Sequence, residues 1–159
     1  MSPQMNDELA IHLSLPFDNQ HKEKVAVLEE VAEWLSDQLE ETIAPSLIVS
    51  GIKEREAVGS TGFGDGFAIP HGQVPKLMHP VLAIIRLEQP VNWEAMDDEK
   101  VDHLLIILVP VDKANQTHLE LLSTLAYHLI DQDTKHRLKT IKEPIEMRGF
   151  IKSLFERGR

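Results

Sequence analysis

Between Arg55 and Gly72 the chain reads REAVGSTGFGDGFAIPHG, a segment that ends with a histidine held between Pro70 and Gly72. Imidazole is a competent nucleophile and is substantially neutral near pH 7 without special help. A phosphoryl group on one of its nitrogens stays reactive, so His71 is the candidate nucleophile for taking up phosphate and giving it away. Such a site needs hydrogen-bond donors and positive charge for the equatorial oxygens, and an opening for in-line approach. Arg55 offers a planar cationic fork and Thr61 a hydroxyl. His118 offers a second imidazole: Thr117 and Glu120 form a capping-box pattern, which puts His118 in the first turn of a helix, where free N–H groups attract anions.

Each residue also has an ordinary reading. A histidine is often surface decoration, Arg55 a solvated helix charge, Thr61 a turn hydroxyl, and His118 a partner of its own helix start. What favours chemistry at His71 is its setting. Gly62, Gly64 and Gly66 let a partner backbone or a phosphate come close. Pro70 fixes its own φ and biases Ile69 toward an extended backbone. The expectation is a short strand over Phe67–Ile69 that stops at His71, with Gly72 leaving open space beyond it. The glycine spacing fits neither the dinucleotide fingerprint nor a Walker loop. His12, His21, His79, His103, His128 and His136 show no H-E-x-x-H or H-x-x-E-H spacing, so neither a metal nor another cofactor is expected.

The elements that must position these residues follow from periodicity. Leu9, Ile11, Leu13 and Leu15 alternate with small or polar residues as a strand that Pro16 is expected to end. Val25, Leu28, Val31, Ala32, Leu35 and Leu39 form the apolar stripe of a helix over Lys22–Glu41. A second helix is expected from about Leu47 to Val58, weakened by Gly51, with Arg55 near its C-terminal end. VLAIIRL (Val81–Leu87) and HLLIILVPV (His103–Val111) read as central strands, joined by QPVNWEAMDDEK with a turn at Asp97 and Asp98. THLELLSTLAYHLID is the clearest helix, followed by a short one at Asp133–Lys142 and a last amphipathic one at Ile145–Glu156. Strands alternating with helices give an α/β fold: a single domain with a mixed sheet sandwiched between helices on both faces.

The totals agree with one domain of 159 residues. There is no cysteine, so disulfides and thiolate chemistry are excluded. Sixteen Lys and Arg against 26 Asp and Glu give a charge of −10, which disfavours nucleic acid and anionic lipid as partners. No apolar run is long enough to cross a bilayer, and a cytoplasmic location is expected with no direct membrane insertion.

Arg55–Gly72, the two apolar strands and THLELLSTLA (Thr117–Ala126) together resemble the fructose/mannitol-type enzyme IIA domain of the bacterial phosphoenolpyruvate-dependent sugar phosphotransferase system, whose pattern the nitrogen-regulatory IIA proteins share. The resemblance spans residues 6–153, leaving 1–5 and 154–159 as terminal extensions. It implies a phosphotransferase with a phosphohistidine intermediate. His71 would take phosphate on Nε2 from the phosphocarrier protein HPr and pass it to a IIB cysteine, with a membrane IIC permease downstream. His118, Arg55 and Thr61 match the family's second histidine, arginine and threonine. Coupled sugar uptake is the expected output, with nitrogen-type regulation of protein partners as the alternative. Phe63 and Phe67 replace the usual aliphatic residues, and Asp65 stands where asparagine is common, as a carboxylate that would repel phosphate unless it faces solvent.

Overall fold

The structure, a computed structural model, describes residues 9–157, apart from the side chains at 113–115, 117 and 157. Its centre is the antiparallel pair β5 (Val81–Val91) and β6 (Val101–Pro110). Strand β1 (Ala10–Phe17) runs parallel to β5 on one side. On the other side of β6 two short strands run parallel to it, end to end: β3 (Phe67–Ala68) and β4 (His71–Val74). Strand β2 (Gly62–Gly64) closes a hairpin on β3, so the sheet is mixed with order β1-β5-β6-β3-β2.

Alternation along β5 and β6 divides the core in two. Ala83, Ile85, Leu104, Ile106 and Leu108 face α1 (Lys24–Gln38) and α2 (Pro45–Glu56). Leu82, Ile84, Leu105, Ile107 and Val109 face α3 (Ala114–His128), α4 (Gln132–Thr140) and α5 (Pro144–Arg157). Because helices cover both faces, the central strands carry apolar residues at nearly every position instead of alternating with polar ones. The α/β sandwich expected from the sequence is the observed architecture. Helix α5 adds Met147, Ile151, Leu154 and Phe155 to the second core. Residues 1–5 lie outside the described residues.

Several boundaries differ from the sequence expectation, each for a physical reason. Pro16 lies inside β1, which continues to Phe17. β1 is an edge strand, where a missing N–H costs no ladder bond. β5 runs on past Leu87 to Val91, and α2 begins earlier, with Pro45 in its first turn where no donor is needed. The expected strand Phe67–Ile69 is only Phe67–Ala68, and His71 opens the next strand rather than closing this one. Helix α3 begins at Ala114, three residues before Thr117, after a 3-10 turn over Val111–Lys113. His118 therefore lies beyond the first turn, and its expected place among free N–H groups is not observed; the Thr117 side chain lies outside the described residues.

The glycine run also has a different role. Asp65 and Gly66 form the two-residue turn of the β2–β3 hairpin, with φ of 56° and 87°. Positive φ at both central positions suits the right-handed strand twist, and Asp-Gly is a favoured pair for it. Gly66 accepts the Asp102 and His103 amides at its carbonyl, both at 3.0 Å. A Cβ on Gly62 would lie 2.7 Å from that of Ala95, so this glycine admits the 92–100 connection rather than a ligand. Asp65 is paired with Lys135 at 2.6 Å, which neutralises the carboxylate that raised concern.

Candidate functional site

His71 is carried on a strand start because Ile107 N–H donates to the Pro70 carbonyl at 3.0 Å and His71 then pairs in register with Ile107. The ring lies on the α3 side of the sheet, edge-to-face with His118 at a centroid distance of 4.5 Å. It is 4% exposed, not displayed at an open tip as the Gly72 argument expected. Gly72 instead allows close packing of α2: a Cβ there would lie 2.4 Å from the Gly51 carbonyl.

The His71 Nδ1 sits 2.8 Å from the Ile69 carbonyl oxygen. A carbonyl only accepts, so Nδ1 carries the proton and the neutral ring keeps its lone pair on Nε2. The backbone two residues upstream thus selects the nucleophilic nitrogen. His118 Nε2 is buried and has no hydrogen-bond partner among the described residues. Leaving a polar atom so costs about 1–3 kcal/mol, a cost recovered if a ligand oxygen approaches it.

Arg55 sits in the last turn of α2, and its Nη1 donates to the Gly59 carbonyl at 2.7 Å. Its charge acts on both imidazoles. Thr61 is close by, but its hydroxyl is already engaged. It donates to Glu56 Oε2 and accepts from Trp93 Nε1 at 3.1 Å. The structure therefore groups His71, His118 and Arg55, and places Thr61 in an adjoining network.

A buried, neutral imidazole with its lone pair on Nε2, edge-to-face with a second imidazole and under the influence of a guanidinium charge, is suited to bonding covalently to an electrophilic centre that carries negatively charged oxygens. A family model described as "Phosphoenolpyruvate-dependent sugar phosphotransferase system, EIIA 2" matches residues 12–154. The chain belongs to this family. Members of the EIIA 2 family are phosphotransfer components. A relative named "Nitrogen regulatory protein" from Pseudomonas aeruginosa is 39% identical over 117 residues, covering 74% of this chain and 75% of that protein. The fructose-specific EIIABC component of Bacillus subtilis is 30% identical over 131 residues, 82% of this chain but 20% of that longer protein. The crystal structure of nitrogen regulatory protein IIA-Ntr from Neisseria meningitidis superposes with a TM-score of 0.77 at 30% identity, covering 92% of this chain and 98% of that one.

Sequence reasoning about this EIIA chain missed three residues. Glu56 accepts from the Thr61 amide at 3.2 Å and from its hydroxyl, and pairs with Lys24 Nζ at 2.7 Å. Trp93, in a segment read only as a connection with a turn, is wholly buried under the Lys24 ammonium, 5.0 Å from the ring centroid. The adjacency of Arg55 and Glu56 in "RE" was the available signal for Glu56; Lys24 and Trp93 reach the site only through tertiary packing. Among the described residues no group of three His, Cys, Asp or Glu is arranged to hold a metal ion, and no helix is long and apolar enough to cross a membrane.

Burial is the main influence on both rings and pushes each proton affinity below the ordinary 6.5. At His71 the Ile69 bond opposes this, Arg55 adds to it and Glu56 opposes it. At His118 the neighbouring His71 and Arg55 both add to it. An NMR titration should place both ring midpoints below 6.5, leaving His71 neutral and nucleophilic at pH 7; a His71 midpoint above 6.5 would refute this. The stability consequence has a definite sign. Below 6.5 the unfolded chain holds protons that the folded rings do not, so stability conferred by these rings is present above 6.5 and is lost as pH falls through the folded values.

Proposed function

We propose that this chain is a phosphocarrier that accepts phosphate on His71 Nε2 and hands it on. The observation that carries the reading is the Nδ1–H bond to the Ile69 carbonyl, which leaves Nε2 unprotonated beside an unpartnered His118 nitrogen. The Nε2 lone pair attacks phosphorus on the donor's phosphohistidine, an HPr-like protein. As the new N–P bond forms, the donor's N–P bond breaks and its electron pair returns to the donor imidazole. Where a IIB protein is the acceptor, its cysteine thiolate attacks phosphorus in the second half-reaction, and the pair of the breaking bond returns to His71 Nε2.

Arg55 and His118 serve the phosphoryl oxygens in this scheme, and the Thr61 hydroxyl reaches them only by giving up Glu56. Removing an orienting donor costs less than removing a nucleophile. His118→Ala should therefore still accept phosphate, with transfer to a IIB cysteine slowed by about tenfold to a hundredfold. Radiolabel transfer, timed separately for the two half-reactions, measures the split. Equal slowing of both steps would refute this division of roles.

Two outputs fit such a carrier. The names of the Pseudomonas and Neisseria proteins support regulation, in which the phosphorylation state of His71 decides which proteins bind. The Bacillus relative supports sugar uptake through IIB and a IIC permease. The regulatory reading is the better supported, because its named relatives are similar to this chain over most of their own lengths. The test is to offer the phosphorylated chain a purified IIB protein: efficient discharge to its cysteine favours uptake, and retention of phosphate favours regulation.

A further inference from the structure

Glu56 is a carboxylate one residue from Arg55 and is joined to His71 by a chain of hydrogen bonds, where a phosphocarrier would be expected to collect cations: the Thr61 amide donates to Glu56 Oε1 at 3.2 Å, the Ile69 amide to the Thr61 carbonyl at 3.0 Å, and His71 Nδ1 to the Ile69 carbonyl at 2.8 Å. Its side chain is 9% exposed and is fixed on three sides. The Thr61 amide and the Lys24 ammonium bind Oε1, and the Thr61 hydroxyl binds Oε2. A glutamine could keep the Thr61 amide on its oxygen and donate from its NH2 to the Thr61 hydroxyl oxygen, reversing that second bond, so the tether by itself does not require a charge.

We propose that Glu56, with its charge partly offset by Lys24, sets the phosphate-transfer potential of His71. Resting on the phosphocarrier reading, the inference follows from simple charge accounting. Phosphate uptake converts a neutral ring into one bearing a dianion. Arg55 favours that product and Glu56 disfavours it, so the two neighbours at the end of α2 hold the phosphohistidine between too stable to discharge and too unstable to form. Lys24 pairs with the carboxylate at 2.7 Å and tempers its repulsion. Glu56 touches no phosphate in this scheme and is a positioning residue, acting through the field at His71 and through Thr61.

The test uses the full chain with enzyme I, HPr, and phosphoenolpyruvate and pyruvate at fixed ratios. The phosphorylated fraction is read by intact mass after equilibrium is reached. Glu56→Gln should raise the apparent equilibrium constant for phosphorylation by about threefold to tenfold, the effect of one charge several ångströms away at intermediate dielectric. Lys24→Met keeps the stem over Trp93 and removes the offsetting charge, so it should lower the constant by a similar factor. Thermal melts accompany both, because a merely structural network would weaken in both variants and shift their equilibria in the same direction or not at all. Opposite shifts support the inference; shifts of the same sign, or none in Glu56→Gln, overturn it. If Glu56→Gln does not fold, Lys24→Met decides alone, and an unchanged or raised constant overturns the inference. Phosphate uptake by the wild-type chain with no shift in either variant removes this inference and leaves the phosphocarrier reading standing. A wild-type chain that takes up no phosphate removes both.

Discussion

Replacing His71 with asparagine is expected to abolish phosphate uptake from phosphoenolpyruvate through enzyme I and HPr, a fall of roughly a thousandfold or more in rate. Asparagine is the informative substitution, because its side-chain nitrogen overlays Nδ1 and can donate to the Ile69 carbonyl as the His71 Nδ1–H does, at 2.8 Å in the native chain. The fold should therefore persist, while no lone pair remains at the position of Nε2. Alanine in the same place would also remove the nucleophile, but would leave a cavity at a 4% exposed position and strand the carbonyl. Acid-labile phosphate is the measure, located by mass spectrometry at neutral or alkaline pH. An undiminished signal in His71→Asn, or phosphate found on His118 in the wild type, would overturn the assignment of the nucleophile.

What the sequence disclosed, and what it hid, follows from the range of the interactions involved. The apolar runs of β5 and β6 and the stripes of α1 and α3 are local patterns, and each produced an element of the expected type. The pairing of His71 with His118 was legible only through the family's two separated signatures; neither residue's neighbours imply that the rings come within 4.5 Å. The hairpin at Asp65 and Gly66 is a different case. Its turn signal was present, but the alternating glycines drew a ligand-binding reading that the observed contacts with Ala95 and Asp102 do not support. β3 and β4, of two and four residues, are set by pairing with β6, which no local propensity encodes. The same holds for the Thr61 hydroxyl: its type suggested a phosphate donor, whereas tertiary packing gives it Glu56 and Trp93 as partners.

Gly51 offers the sharpest contest between a local rule and a tertiary one. It lies inside α2, where the helix scale makes alanine better than glycine by about 1 kcal/mol. A Cβ at this position would nevertheless lie 2.4 Å from the Gln73 carbonyl oxygen, and one on Gly72 would lie 2.4 Å from the Gly51 carbonyl. Both obstructing atoms are backbone, so no rotamer change relieves them; the helix must move off the strand. Overpacking of this kind typically costs 1–3 kcal/mol and at times more, so after the helix gain we expect Gly51→Ala to destabilise the chain by about 1–2 kcal/mol net, lowering Tm by roughly 3–6 °C. Gly149→Ala is the matched control: it lies in α5 with nothing within 4 Å of the added Cβ, and should stabilise by about 0.5–1 kcal/mol. Calorimetry on the two variants should give shifts of opposite sign. Because α2 ends in Arg55 and Glu56, its displacement from β4 should also slow phosphate uptake in Gly51→Ala, while Gly149→Ala leaves uptake unchanged. A Gly51→Ala variant as stable as the native chain would mean that helix and strand can separate without penalty, and the rigid placement of His71 against the end of α2 would fail with it.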